Sequence, residues 1–206
     1  MNKNLVICPT YQRPVQFARM SESFYKTSEC SDLIVLTEQG SITTLINSVN
    51  YTGYQYVGVT NDDFVYHIQG WDKILIETLE RKSGGIAFGN DGTNNKHLPV
   101  TCIMSSAIPE ALGWIQLPGL EHLCGDMVWQ TIGKTLNCLY YHSHVKIEHL
   151  HFMFGKADKQ DYARTNSREM YTKDNATFQK WLLNDSKENI EKVRRTLELY
   201  RMRQGS

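Results

Sequence analysis

No stretch of the 206-residue chain approaches the ~20 consecutive apolar residues needed to cross a bilayer. Net charge is absent too: 22 Lys and Arg offset 22 Asp and Glu, so no global field gathers nucleic acid. The cysteines (Cys8, Cys30, Cys102, Cys124 and Cys138) are odd in number, scattered and without a CxxC pair. That pattern argues against both a zinc knuckle and a disulfide framework. Cys8 and Cys102 lie in apolar runs and read as small core residues. Internal repeats and low-complexity tracts are also missing. The first residues turn strand-like too early for a signal peptide, so the expectation is an intracellular, cytoplasmic protein without membrane contact.

What is present is an alternation of short apolar runs and helical spacings. Leu5–Cys8 reads as a buried strand, Phe17, Met20 and Phe24 as a helix face, and Leu33–Leu36 as a second buried strand. Strand, helix, strand in this order predicts a βαβ unit and a parallel sheet. A helix through Ile42, Leu45, Ile46 and Val49 and a third strand, Tyr54–Thr60, follow. Further along come a helix from Trp71, strands at Gly84–Gly89 and Pro99–Met104, a helix starting near Asp126, and a last strand from Leu139 to Ile147. Gly155–Lys173 is polar and without clear period, and two helices follow it. The class is α/β, a mixed and mainly parallel sheet flanked by helices, with a helical C-terminal extension.

The third strand runs into Asn61-Asp62-Asp63. Adjacent carboxylates leaving a buried strand repel each other and lose hydration. A hard divalent cation such as Mg²⁺ or Mn²⁺ offsets both costs and is commonly shared with substrate phosphates. The same tripeptide is also good turn chemistry. In an open α/β sheet, ligands gather at the carboxyl ends of the parallel strands. Pro9-Thr-Tyr-Gln-Arg13, Glu38 and Asp62-Asp63 all follow such strands, which favours a site over a turn. Pro9–Arg13 is not the Gly- and Lys-rich phosphate loop that a nucleotidyltransferase normally places there.

These residues resemble a known family. Pro9-Thr-Tyr-Gln-Arg-Pro14 is similar to the opening of family 2 glycosyltransferases with the GT-A fold, and Asn61-Asp62-Asp63 to their DxD-type metal motif. His122-Leu-Cys-Gly-Asp126-Met-Val-Trp129 stands where that family carries its catalytic acid pair. Glu148-His149-Leu-His151 stands where many GT-A enzymes place a late metal-binding histidine. The ordered set, with Gly70-Trp71-Asp72, is similar more narrowly to small phage- or mobile-element-type glycosyltransferases. Two positions depart from the pattern: Thr37-Glu38 replaces an Asp pair after the second strand, and Gly125 replaces the Glu before Asp126.

The resemblance implies a metal-dependent glycosyltransferase that moves a hexose or pentose from a nucleotide-diphosphate sugar, a UDP-sugar in the first instance, to a hydroxyl. Residues 1–155 would form the catalytic domain and 156–206 a polar loop and helices packed on it or closing over it. Mn²⁺ or Mg²⁺ would bind Asp63 and His151. Pro9, Thr10, Tyr11, Arg13, Glu38 and Asp62 would line the nucleotide pocket, with Tyr11 on the base and Arg13 near phosphate. Asp126 would be the general base of an inverting transfer, although an Asp at a helix N-terminus is also ordinary capping. His149 and His151 alternate along a strand and should face opposite ways. Trp71 reads as core, Asp72 as a helix cap or a sugar contact, and Lys156 and Arg164 as solvated loop residues or a lid. The acceptor is open between a hydroxymethylated pyrimidine in phage DNA, which the basic last helix favours, and a glycan or protein hydroxyl. Monomer and homodimer are both open, and a nucleotidyltransferase or a non-catalytic nucleotide-sugar-binding module are the other readings.

Overall fold

The computed structural model describes residues 3–93, 98–157 and 167–204. Strand β1 (Asn4–Pro9) leads into helix α1 (Pro14–Thr27), whose first position is proline. Proline suits that position because its missing N–H is one that a helix leaves unbonded anyway. Strand β2 (Ser31–Leu36) and helix α2 (Ile42–Asn47) follow, the latter capped by the Ser41 hydroxyl accepting the Thr44 N–H. Strands β3 (Tyr56–Val59) and β4 (Phe64–Tyr66) flank the Asp pair, before helix α3 (Trp71–Arg81). Next come β5 (Ile86–Asn90), β6 (Cys102–Ser105), α4 (Ala107–Leu112), α5 (Gly125–Thr135) and β7 (Leu139–His149). Helices α6 (Arg168–Asn184) and α7 (Ser186–Gln204) complete the described chain.

The seven strands form one sheet in the order β2-β1-β3-β6-β5-β7-β4. From the pairings, β1, β2, β3, β5 and β7 point one way, while β6 and β4 run against their neighbours. Both faces are covered, so the strands contribute to two cores by simple alternation. Leu5, Ile7, Val57, Val59, Ile86, Phe88 and Met104 face one core with α4, α5, α6 and α7. Val6, Cys8, Tyr56, Ala87, Ile103, Val145 and Ile147 face the other, with Met20 and Phe24 of α1 and Trp71, Leu75 and Leu79 of α3. Trp71 and Cys102 are buried, as their sequence context predicts.

Two expectations are corrected. The strand read at Pro99–Met104 is shorter, Cys102–Ser105, and antiparallel to both neighbours. Asp72 is fully buried and is not a sugar contact, and the N-cap of α3 is Gly70 in the left-handed region, although Asp72 Oδ1 does accept the Lys73 N–H (2.9 Å) in that helix's first turn. Its carboxylate also accepts bonds from Ser28 Oγ (2.6 Å), Ser31 Oγ (2.7 Å), Cys30 N (2.9 Å) and Glu29 N (3.0 Å). Burial pushes this carboxyl up, but the converging hydrogen bonds outweigh it and hold it below its ordinary value. Asp72 therefore ties α3 to the turn between α1 and β2.

The C-terminal helices share the first core through Phe178, Trp181, Ile190, Val193 and Leu197, and α7 packs on α4. Their polar anchor is Asp174 of α6, fully buried. It accepts three successive backbone N–H groups of the loop before α5: Glu121 (2.8 Å), His122 (2.9 Å) and Leu123 (2.6 Å). Removing that carboxylate strands three donors. Asp174→Ala is expected to cost at least about 3 kcal/mol, seen as a Tm drop of about 10 °C in thermal denaturation. Asp174→Asn, which keeps one acceptor oxygen, is expected to lose about half as much. An unchanged Tm for the alanine variant contradicts this role.

Candidate active site

The carboxyl ends of β1, β2 and β3 open on a cavity of about 490 Å³. All nine residues singled out from sequence line it: Pro9, Thr10, Tyr11, Arg13, Glu38, Asp62, Asp63, Asp126 and His151. Gln12, Gln116, His122 and His149 join them. The turn after β1 is held by Thr10 N–H bonding to Leu36 O (2.8 Å) and bends through Gln12 at φ 56°. It places Tyr11 at the mouth, where the phenol donates to Gln39 Oε1 (3.4 Å) and accepts from Gln12 Nε2 (3.2 Å). Glu38, next to Gln39, is exposed and also lines the cavity.

The two adjacent carboxylates do different work. Both are 3% exposed, so each needs compensation. Asp62 takes Arg13 Nη1 on Oδ1 (2.7 Å) and Thr10 Oγ1 on Oδ2 (2.7 Å). Burial pushes its carboxyl above the ordinary value, and the Thr10 bond and the Arg13 charge oppose that rise. Each Asp62 oxygen is thus committed within the protein, and this Arg13 nitrogen is engaged with Asp62. Asp63 faces β7 instead. Its Oδ2 lies 3.3 Å from His149 Nε2, and its backbone oxygen accepts the Leu150 N–H (2.8 Å).

The two late histidines do not point to opposite faces. β7 ends at His149, and the chain leaves the sheet to enter a 3₁₀ turn at Phe152–Phe154, for which His151 is the cap. Residues two apart on a strand share a face, so alternation would have kept this pair on one side rather than separating it; in the structure their rings lie 5.0 Å apart. The His149 ring stacks on Phe64 of β4 at 4.5 Å, which fixes its plane. His151 Nδ1 accepts the Met153 N–H (3.3 Å). Burial first, and then the neighbouring His149, push the His151 imidazole down to about 4, so it is neutral at physiological pH. Among the described residues, no three His, Cys, Asp or Glu side chains converge as a ready-made metal site.

Asp126 stands in the first turn of α5 and accepts the Met127 N–H (2.8 Å). It keeps some surface open to the cavity, yet burial is the main influence on its carboxyl and pushes it up. Asp91 adds to the rise, while backbone N–H groups and His149 reduce it. The residue before the helix, Cys124, adopts φ 68°, the left-handed region in which a side chain costs about 1–2 kcal/mol. The preceding loop is over-determined enough to hold it. Asp174 binds its N–H groups, the Ile42 N–H bonds to Glu121 O (3.1 Å), and Ser41 Oγ to Leu120 O (3.3 Å).

Asp174, Asn47, Gln116 and His149 were not singled out as leading site residues from sequence. Only His149 carried a signal there, its adjacency to His151. Lys156 bonds Glu148 Oε1 (2.8 Å) in a cluster with His67 and Lys146, rather than reaching into the cavity. These partners, the Lys156 bond foremost, hold the Glu148 carboxyl down at about 2. Arg164 lies outside the described residues. Three cations of the basic face of α7 pair along its own helix: Lys192 with Glu188, and Arg194 and Arg195 with Glu191. Among the described residues, no helix is long and apolar enough to cross a membrane.

No protein-family model matches the chain, and no curated protein matches it in sequence. Solved structures do match in shape. A mannosyltransferase from Pyrobaculum calidifontis, determined with GDP-Man and Mn²⁺, superposes with a TM-score of 0.62 at 10% identity, over 97% of this chain and 75% of that one. Residues 1–349 of S. aureus TarS give 0.55 at 12% identity, over 99% and 92%. The catalytic domain of Drosophila β1,4-galactosyltransferase 7, with xylobiose, gives 0.54 at 10% identity, over 82% of each chain. At such identities the likeness speaks to architecture, and the architecture is the GT-A fold.

Proposed function

We propose that this protein is a metal-dependent glycosyltransferase using a nucleotide-diphosphate sugar. The observation that carries the reading is the division of labour between the paired carboxylates. Asp62 is neutralised by Arg13 and Thr10, while Asp63 faces an imidazole at the sheet edge where α/β folds bind ligands. The fold neighbours add support: TarS was determined with UDP and with UDP-GlcNAc, and the Drosophila enzyme with manganese, UDP-Gal and xylobiose.

Asp63 and His149 are the residues that fit a cation. Their 3.3 Å separation suits two ligands on one centre with bonds of about 2.1 Å. His151 spends Nδ1 on the Met153 N–H, which leaves its proton on Nε2 and makes it the supporting histidine rather than the first choice. One carboxylate and one imidazole suit Mn²⁺, with substrate oxygens and water completing the shell. When bound, the cation would supply charge neutralisation for the departing diphosphate. Tyr11 and Glu38 frame the opening for the nucleoside, and Arg13 holds the Asp62 side of the turn. Asp126, across the cavity, takes the proton from the acceptor hydroxyl as it attacks the anomeric carbon, with inversion. The paired cations of α7 give little support to a duplex DNA acceptor of the phage type. A glycan or protein hydroxyl is the better-supported acceptor class.

The direct test is a panel of UDP-, GDP- and CMP-sugars with Mn²⁺, reading released nucleotide. Metal-dependent turnover of at least one donor is expected, and none across the panel rejects the reading. Hydroxymethylated DNA and a free glycan, offered as acceptors in parallel and analysed by mass spectrometry, are expected to gain sugar mass on the glycan alone.

Mn²⁺ affinity in the presence of UDP, read by electron paramagnetic resonance, is expected to vanish in Asp63→Ala. It should fall about 10–100-fold in His149→Ala and less in His151→Ala. Equal affinity for wild type and Asp63→Ala contradicts the assignment.

The Asp126 carboxyl is raised in the folded state, so it stays protonated to higher pH than a free aspartate. The base form is then lost on the acid side at a pH above the ordinary carboxylate range, and kcat should fall there. A raised pKa contributes stability below the unfolded value that is lost as pH rises through the folded one. Asp126→Asn should therefore raise Tm at neutral pH while lowering kcat about 10²–10⁴-fold. A drop in Tm together with full activity contradicts both halves.

A further inference from the structure

Gln116, in the loop between α4 and α5, belongs to the wall that carries Asp126, and three features converge on it. First, its backbone is clamped by a single side chain from α2. Asn47 Oδ1 accepts the N–H groups of Ile115 and Gln116 (2.8 Å each), and Asn47 Nδ2 donates to Gln116 O (2.8 Å). Both acceptor positions of the Asn47 carbonyl and one of its two N–H donors are thus spent on fixing residues 115 and 116. Second, the Gln116 side chain lies over Gly125. A Cβ at that glycine would stand 3.0 Å from Gln116 Cδ and 3.1 Å from Nε2, and it would collide with Oε1. The glycine is what gives the amide its room, one residue (about 3.8 Å of chain) from Asp126. Third, Gln116 lines the cavity and, among the described residues, its side-chain amide makes no hydrogen bond within the protein, which leaves its donors and acceptor available to a ligand there.

We propose that Gln116 is a specificity-determining residue that binds hydroxyl groups of the donor sugar ring beside Asp126; this rests on the glycosyltransferase reading above. A carboxamide offers two N–H donors and one carbonyl acceptor on one plane, which matches a pair of neighbouring ring hydroxyls. Being neutral, it adds no charge beside Asp126, whereas a carboxylate there would raise the base further. A site built to hydrogen-bond a hydroxyl rejects the analogue that places it wrongly, because its own polar groups are left unpaired. The amide that Asn47 and Gly125 hold in place thus selects among sugars, while the Asp63 and Arg13 side of the cavity handles the nucleotide half.

The test uses the full chain with Mn²⁺ and UDP-glucose, UDP-galactose, UDP-GlcNAc and GDP-mannose. Released nucleotide gives kcat/KM for each donor, and calorimetry gives UDP affinity. Two variants remove the amide from its place by different routes: Gln116→Ala deletes it, and Gly125→Ala pushes this flexible side chain aside. Both are expected to bind UDP within about twofold of wild type, to lose about 10-fold or more in kcat/KM for the preferred donor, and to flatten the ratio between sugars. Gln116→Asn, with the same groups on a shorter arm, should be intermediate. An active wild type whose donor ratios survive both alanine variants overturns this inference alone. A parallel loss of UDP affinity assigns Gln116 to the nucleotide or to the fold and overturns it as well. A wild type that turns over none of these four donors overturns it, and one that also turns over no CMP-sugar overturns the transferase reading with it.

Discussion

Two buried aspartates in succession set the problem that the rest of the site solves. At the end of β3, Asp62 and Asp63 are nearly inaccessible to water, and their charges would repel strongly in such a medium. The fold compensates them from opposite sides. The turn after β1 brings Arg13 and Thr10 to Asp62, and the end of β7 brings His149 to Asp63. Because β1 is second from one edge of the sheet and β7 second from the other, this pair joins distant parts of it. It also separates their roles in our proposal: the one already saturated organises the turn, and the one facing an imidazole is the proposed cation ligand.

The second wall is organised from outside the sheet. Asp174 on α6 gathers the loop before α5, Asn47 on α2 gathers the loop before it, and between them they hold Cys124 in a left-handed conformation and Asp126 at the cavity. The C-terminal helices are thus coupled to the candidate base through hydrogen bonds as well as through the apolar core. A loop held by side-chain-to-backbone bonds can keep a strained residue and a raised carboxyl together, since neither is stable alone.

The sequence was most informative where local physics rules. Runs such as Leu5–Cys8 and Leu33–Leu36, and the helical spacing of Trp71, Ile74 and Leu75, became β1, β2 and α3 because burial on a periodic face leaves a periodic trace. β4 has three residues and α4 six, with Pro109 inside, too short for any period to show. The antiparallel course of β6 is a property of pairing, which no single segment encodes. Within the site, residues at strand ends were legible because topology places them together. Asp174, Asn47 and Gln116 were not, because a polar side chain that reaches across roughly 50 to 70 positions has no local signature. The expectation that His149 and His151 face opposite ways misapplied strand alternation, which puts residues two apart on the same side, and the two rings do lie together.

The account stands on a cavity that binds a nucleotide through a cation held at Asp63. Calorimetric titration of UDP and GDP into the full chain, with and without Mn²⁺, tests that most directly. The account predicts binding of at least one of the two that depends on Mn²⁺. Nucleotide binding indifferent to the metal, or no binding of either nucleotide in its presence, would contradict it.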